Sequence, residues 1–196
     1  VTFTVSLDNP LDAAISMDFT TIDGTALGGS DYTANSGSLP FAAGETSKTV
    51  TVDITAEPLV EPNETFGLPL SDLNAGGRAA SFSGGGATTA GTATITNDDS
   101  AEFTVSSESG NENGGPITFT VTLSNAVDVA TSVDVSTSDG SALLSDSDYG
   151  QVSGLTLNFA AGVTSQTFDV TPTADNTVEL GETFSVGLSN VVDGGR

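Results

Sequence analysis

Acidic residues recur at equivalent positions in the two halves of this sequence. An Asp-Tyr pair occurs at Asp31 and again at Asp148, and the pattern Glu-x-x-Glu-Thr-Phe begins at Glu61 and again at Glu179. Calcium in proteins takes about six to eight oxygen ligands on flexible loops, whereas magnesium keeps several waters and uses one or two carboxylates. Several carboxylates that converge without a basic counter-charge therefore indicate a calcium site.

Turn motifs recur together with these acids. Asp23–Ala26 reads Asp-Gly-Thr-Ala, and Asp139–Ala142 reads Asp-Gly-Ser-Ala. A repeat of this length is a whole domain, not a short solenoid unit. We therefore expect two tandem domains, residues 1–99 and residues 100–196.

The charge balance excludes several classes of partner. The 196 residues include 26 acidic and 3 basic residues, so the formal net charge is −23. Nucleic acids and anionic membrane surfaces are excluded, because binding to either needs clustered Lys and Arg. Solubility alone could explain an acidic surface, but it does not explain why particular acids recur at matched positions. The natural partner is a cation.

The residue types also argue against an enzyme. The sequence has no Cys, His or Trp, which removes disulfides, thiolate zinc sites and imidazole acid–base catalysis. Glu61 and Glu64 could form a carboxylate pair for glycoside hydrolysis, but few aromatic side chains remain to bind a sugar. We therefore expect no catalytic activity.

Apolar residues alternate with Thr and Ser through both halves, for example over residues 3–7 and again over 119–123. This period of two predicts half-buried strands. Short strands at this spacing predict an antiparallel sandwich of about seven strands per copy. Pro69 interrupts one strand pattern, so we expect that strand to lie at a sheet edge or to carry a bulge there.

Each predicted sandwich is truncated by about one strand. The second copy has an opening segment before its strand at Phe119, which the first copy lacks. The first copy has a closing strand over residues 92–96, which the second copy lacks. A sandwich without an edge strand exposes unpaired backbone. We therefore expect that the protein continues in both directions, or that a neighbouring chain supplies the strands.

The ordered set of motifs resembles the Calx-beta domain. Its characteristic segments fall here at Asp23–Ala26, Asp31-Tyr32, Gly37–Glu45, Glu61–Leu70 and Asn97–Asp99. The second copy matches the pattern except at Val163 and at its end. The resemblance implies two tandem immunoglobulin-like β-sandwiches, with calcium ions at one end of each.

The resemblance also implies a set of metal ligands in each copy. In the first copy they are Asp31, Glu57, Glu61, Glu64, Asp98 and Asp99. In the second copy they are Glu112, Asp148, Asp175, Glu179 and Glu182, with Asp146 as a further candidate. Calcium-rich members carry an Asp-Asp pair before Glu-x-x-Glu. In this sequence the first residue of that pair is replaced by Ala56 in the first copy and by Ala174 in the second. This departure implies fewer ions per domain. Asp23 and Asp139, in Asp-Gly turns, are expected to be turn residues.

Three functions stay open. The first is a calcium-stiffened structural or adhesive repeat of a long bacterial protein, extracellular or at the cell surface, whose partners are other copies of the domain and a receptor that the sequence does not identify. The second is a calcium-sensing regulatory domain pair, as in sodium–calcium exchangers. The third is a metal-independent subunit of a self-assembling filament with strand exchange between subunits.

Overall fold

The computed structural model describes residues 1–175 and 180–196, and the chain divides into two compact units. The first unit comprises Val1–Glu57 and Pro62–Asn97, and the second comprises Pro58–Glu61 and Asp98–Arg196. In the described residues, no helix has the length and hydropathy needed to cross a membrane.

Within the described part of the chain, seven strands build the first unit. They are β1 (Thr2–Ser6), β2 (Ile15–Thr20), β3 (Ile22–Asp23), β4 (Ser36–Phe41), β5 (Ser47–Thr51), β6 (Glu64–Asn74) and β7 (Thr89–Ile95). β1 pairs with β5, and the second sheet has the order β3-β6-β2-β4 with β7 also paired to β6. Met17, Phe41, Val50 and Leu68 belong to a buried core to which both sheets contribute, so the unit is a sandwich.

The second unit repeats this plan. Its strands, in the residues that the structure describes, are β8 (Phe103–Val105), β9 (Ile117–Leu123), β10 (Thr131–Asp139), β11 (Leu155–Phe159), β12 (Ser165–Val170) and β13 (Phe184–Val192). The sheets have the orders β11-β10-β13 and β12-β9-β8, and every pairing is antiparallel. Val121, Val133 and Phe159 are fully buried in its core. The predicted all-β fold of two tandem antiparallel sandwiches is confirmed.

The two units differ at their sheet edges. β8 pairs with β9, and Phe119 and Val121 of β9 are buried. Among the described residues no strand pairs with β1 on the side away from β5, and the equivalent Phe3 and Val5 are only half-buried. In the same way β7 pairs with β6, whereas no described strand takes that place beside β13.

The strand that contains Pro69 is central, so the prediction of an edge strand is wrong. β6 pairs with β2, β3 and β7. Pro69 pairs with Ala90 of β7, but on the other side it lies between Gly67, which pairs with β3, and Leu70, which pairs with β2. Because the neighbouring strand changes at this point, no ladder hydrogen bond is required from the proline nitrogen there. The register against β2 shifts further along β6, where Asp72 has a φ of 52°.

Thr131 provides a test of core packing. Its side chain is buried at the start of β10, and its hydroxyl has no hydrogen-bond partner among the described residues. The equivalent residue of the first unit, Ile15, is also buried and also pairs with a phenylalanine. Thr131→Val should raise the free energy of unfolding by about 1 kcal/mol, because a buried hydroxyl without a partner costs about 1–3 kcal/mol. Urea denaturation measures the change.

Thr137→Val is the matched control on the same strand. The Thr137 hydroxyl donates to the Val152 carbonyl over 3.2 Å and accepts from the Val152 amide over 3.0 Å. Its removal should lower the free energy of unfolding by about 1 kcal/mol. Equal destabilisation by both substitutions would contradict the assignment at Thr131.

Candidate metal centres

Two carboxylates hold the loop that follows β3. Asp23 Oδ1 accepts a hydrogen bond from the Gly28 amide over 2.8 Å and another from the Tyr32 hydroxyl over 2.6 Å. Asp31 Oδ2 accepts a hydrogen bond from the Leu27 amide over 2.6 Å. The carboxylate of Asp31 is therefore held in one orientation by its own loop.

The pKa values of the Asp23–Tyr32 pair follow from this geometry. The hydrogen bond from Tyr32 lowers the pKa of Asp23, and the bond from the Gly28 amide adds to the effect. Burial raises the pKa of Tyr32, and the hydrogen bond to Asp23 raises it further. At neutral pH the acceptor is anionic and the donor is protonated, so the bond is charge-assisted.

The Asp-Gly-Thr-Ala turn also binds the start of β6. Thr25 Oγ1 accepts a hydrogen bond from the Thr65 amide over 2.8 Å, and the Ala26 amide donates to the Thr65 carbonyl over 3.0 Å. At Gly24 a Cβ atom would lie 2.3 Å from the Thr65 carbonyl oxygen, so only glycine permits this approach. The turn thus fixes the residue that follows Glu64.

Two carboxylates of the first unit meet where β6 begins. One oxygen of Asp31 and one of Glu64 lie within 4.8 Å of each other, and both side chains are half-buried. Carboxylates this close disfavour each other's charge unless a cation or a proton is shared among them. Hard oxygen ligands of this kind suit calcium.

The basic side chains of the sequence form ion pairs with other carboxylates. The pairs are Lys48 with Glu45, Arg78 with Asp12, and Arg196 with Asp128. The hydrogen bond from Arg196 holds the pKa of Asp128 below its usual value. Each of these ion pairs therefore uses a carboxylate other than those of Asp31 and Glu64.

The second unit repeats the loop that presents Asp31. Asp139 Oδ1 accepts hydrogen bonds from the Leu144 amide over 3.1 Å and the Tyr149 hydroxyl over 2.8 Å, and Asp148 Oδ2 accepts from the Leu143 amide over 2.7 Å. This arrangement places Asp148 as the equivalent of Asp31.

The second turn also binds the residue that precedes β13, Thr183. Ser141 Oγ accepts from the Thr183 amide over 2.9 Å, and the Ala142 amide donates to the Thr183 carbonyl over 2.9 Å. A Cβ atom at Gly140 would lie 2.3 Å from the Thr183 carbonyl oxygen. The turn thus holds the residue directly after Glu182, as its counterpart does after Glu64.

An acidic cavity lies beside this second turn. It has a volume of about 660 Å³, and Tyr149 and Phe184 lie in its wall. Its acidic lining consists of Glu112, Asp146, Asp148, Asp175 and Glu182. Within residues 1–175 and 180–196, no three of these cavity acids offer oxygens that all lie within 4.8 Å of one another, so they do not form a compact group of three carboxylates.

Sequence comparison relates both units to one known domain. The Calx-beta domain profile matches residues 1–100 and again residues 94–196. The chain belongs to the Calx-beta family. Calx-beta domains are calcium-binding domains, so calcium, the cofactor predicted from the sequence, is the cation to test at these carboxylates.

Curated relatives match a limited segment of this Calx-beta chain. Sodium/calcium exchanger 1 of Canis lupus familiaris is 37% identical over 70 residues, which is 36% of this chain and 7% of the exchanger. The Bos taurus protein of the same name is 40% identical over 63 residues, which is 32% of this chain and 6% of that protein. The chain therefore spans a small fraction of the length of these relatives.

Two solved Calx structures resemble the chain. The crystal structure of CBD12 from CALX1.2 is 22% identical, with a TM-score of 0.44, and the alignment covers 97% of this chain and 74% of that one. The crystal structure of the apo form of the Calx CBD1 domain is 25% identical, with a TM-score of 0.39, and covers 45% of this chain and 73% of that one.

The Calx-beta ligand sets predicted from the sequence are brought together in part. Asp31 and Glu64 lie close together in the first unit, and four predicted acids of the second copy, Glu112, Asp148, Asp175 and Glu182, line one cavity with the further candidate Asp146. Glu57 is not grouped with Asp31 and Glu64 among the described residues, and Glu61, Asp98 and Asp99 belong to the second unit. Glu179 lies outside the described residues. All eleven assignments stay predictions until calcium binding is measured.

Sequence reasoning missed how the Asp-Gly-Thr/Ser-Ala turn is used. Asp23 and Asp139 were expected to be turn residues only. Each also accepts a hydrogen bond from the hydroxyl of the tyrosine that follows a predicted ligand, Tyr32 or Tyr149. The recurrence of the whole motif in both copies was the signal that could have indicated this wider role.

Proposed function

We propose that this chain is a pair of calcium-binding Calx-beta domains that acts as a calcium-sensing regulatory element of a larger protein. The observation that carries the proposal is the pair of Asp31 and Glu64, which offer oxygens within 4.8 Å of each other at the start of β6. The same motif positions recur in the second unit, where Asp148 and Glu182 line one cavity. No catalytic role is assigned to these carboxylates.

The donor set fits calcium. The residues offered are carboxylates on loops and at a strand end, and calcium prefers such hard oxygen ligands in variable numbers and geometries. Asp31 and Glu64 would hold the ion in the first unit. Asp148 and Glu182 would hold it in the second unit. Bound calcium supplies positive charge that offsets the mutual repulsion of these acids.

The regulatory role is favoured by the relatives. Proteins named sodium/calcium exchanger 1 are 37–40% identical to this chain over 63–70 residues. A domain pair that binds calcium and has no catalytic group of its own can act by changing the conformation or dynamics of the protein that contains it.

A structural role is the second candidate, and one sequence feature supports it. Ala56 and Ala174 stand where calcium-rich members of the family have an acid, and fewer charged ligands lower calcium affinity. Weak sites would suit an adhesive or stalk-forming repeat outside cells, where calcium would rigidify the domains and their linker. The extracellular location, the bacterial source and the assembly with other copies of the domain are proposals tied to this candidate, as is the filament alternative.

Calcium titration by isothermal calorimetry distinguishes these functions, with magnesium as the control cation. Micromolar dissociation constants support the sensor, because sensor sites bind at about 10⁻⁷–10⁻⁵ M. Constants of about 10⁻⁴–10⁻³ M support the structural repeat, since extracellular modules bind in this range. An absence of calcium binding at millimolar concentrations would overturn the proposal.

Removal of calcium should lower the melting temperature. A ligand present at about 100 times its dissociation constant stabilises the folded state by about 2.7 kcal/mol. For a unit of this size, 1 kcal/mol corresponds to about 4–8 °C, so chelation should lower the melting temperature by about 10 °C or more. Scanning calorimetry with and without a chelator measures the change. A melting curve that chelation leaves unchanged would contradict this expectation.

A further inference from the structure

A single turn in each unit connects the two segments that carry predicted ligands. In the first turn, Asp23 Oδ1 accepts hydrogen bonds from the Gly28 amide and the Tyr32 hydroxyl. These two donor residues flank Asp31 in the sequence. Tyr32 directly follows Asp31 in the sequence, so the position of the tyrosine limits where the Asp31 carboxylate can lie.

In the same turn, Thr25 Oγ1 accepts a hydrogen bond from the Thr65 amide near the start of β6. Thr65 directly follows Glu64, so this bond limits the position of the Glu64 carboxylate. The Tyr32 ring stacks on Phe66 with ring centroids 4.2 Å apart and an interplanar angle of 15°. The turn and the stacked rings therefore hold the loop and the strand together.

The second unit has the same arrangement with different residues. Ser141 takes the place of Thr25 and accepts the Thr183 amide proton. Tyr149 stacks on Phe184 with centroids 4.6 Å apart and an interplanar angle of 16°. The same contacts therefore recur in two diverged copies, and in both a single carboxylate oxygen, of Asp23 or of Asp139, accepts the loop amide and the tyrosine hydroxyl.

We propose that Asp23 and Asp139 are positioning residues for calcium, which set the affinity of Asp31 and Asp148 without binding the ion. This inference rests on the proposed calcium-binding function. The carboxylate at 23 acts through hydrogen bonds, so an amide at that position, which keeps an Oδ1 acceptor, should preserve most of its effect. A residue without the acceptor should not.

The test compares Asp23→Ala with Asp23→Asn, which remove the same charge but differ in the acceptor. Calorimetric titration with calcium should give a dissociation constant for the first site that is raised about tenfold or more in Asp23→Ala, in the range found for residues that orient metal ligands. Asp23→Asn should differ from Asp18→Asn by no more than about twofold. Asp18 is an exposed acid on β2 and reports the effect of one lost charge.

Two further readouts separate positioning from a general loss of stability. In the calcium-free chain, hydrogen exchange at the Leu27 and Gly28 amides should speed up in Asp23→Ala and stay unchanged in Asp23→Asn. Tyr32→Phe keeps the stacked ring and removes only the hydroxyl, so it should weaken calcium binding at the first site even if Asp23→Ala folds poorly. Asp139→Ala should affect the second site alone.

Each outcome has a distinct meaning. If Asp23→Asn loses as much affinity as Asp23→Ala, Asp23 is itself a ligand and the inference is overturned. If neither variant changes affinity or amide exchange, the turn does not position the site. If the unmodified chain binds no calcium, the proposed function fails, and the amide exchange of Asp23→Ala still reports whether the turn orders the loop.

Discussion

Gly140→Ala is expected to lower the free energy of unfolding of the second unit by about 3 kcal/mol. The new Cβ atom would lie 2.3 Å from the Thr183 carbonyl oxygen, and that oxygen accepts the Ala142 amide proton. Because the obstacle is backbone, a rotamer change cannot relieve the clash, and overpacking that forces a backbone shift costs about 1–3 kcal/mol or more. Urea denaturation followed by circular dichroism measures the loss.

Gly150→Ala in the same unit is the matched control. Its Cβ atom would lie 3.5 Å from the nearest atom, the Thr171 carbonyl oxygen, which is an ordinary contact. Gly24→Ala in the first unit repeats the 2.3 Å clash, against the Thr65 carbonyl oxygen, and should cost a similar amount. If Gly140→Ala unfolded at the same urea concentration as Gly150→Ala, the close approach of Gly140 to the Thr183 carbonyl oxygen would be contradicted.

The double substitution Asp31→Asn with Glu64→Gln should weaken calcium binding at the first site by about a hundredfold. Ligand charge is a main determinant of affinity at calcium sites, and the range from sensors to extracellular modules spans about this factor. Amides of the same shape preserve the volume and most hydrogen bonds, so strand content by circular dichroism should not change. Calorimetric titration measures the affinity and the number of sites.

Two controls define what this result means. Asp8→Asn with Asp18→Asn removes two exposed acids and the same total charge, so it reports the general effect of the protein's field on calcium. Asp148→Asn with Glu182→Gln should remove the second site and leave the first. Loss of the fold at saturating calcium in the first double variant would show that Asp31 and Glu64 are needed for the architecture.

Much of the fold could be predicted because its determinants are local. Alternation of Phe, Val and Leu with Thr and Ser follows directly from the pleat of a strand with one buried face. This pattern identified β9 and β10, whose Val121, Val133 and Val135 are fully buried. Pro69 was expected at an edge or at a bulge, whereas it lies in a central strand, because the change of neighbour from β3 to β2 depends on the whole sheet and leaves no local sequence signal.

The candidate sites, like the fold, could be predicted from the sequence only in part. Asp31 and Glu64 could be named because the motifs recur, but their proximity depends on contacts between the turn at residues 23–26 and Thr65, about forty residues away. Glu57, Asp98 and Asp99 were assigned by resemblance alone, and their place in a metal site depends on backbone conformations that the residue types do not determine. The positioning turn could not be derived without seeing the Asp23–Tyr32 hydrogen bond.

The ion pair of Lys48 with Glu45 has a practical consequence for experiments on a chain whose halves are so alike. Lys48 is the only lysine in the sequence, it lies on β5 of the first unit, and its side chain is 34% exposed. A fluorophore attached to this side chain through amine chemistry would mark the first unit and leave the second without a lysine label. The quenching or anisotropy of this fluorophore during a calcium titration would then report on the first unit alone, and the two units would not have to be separated.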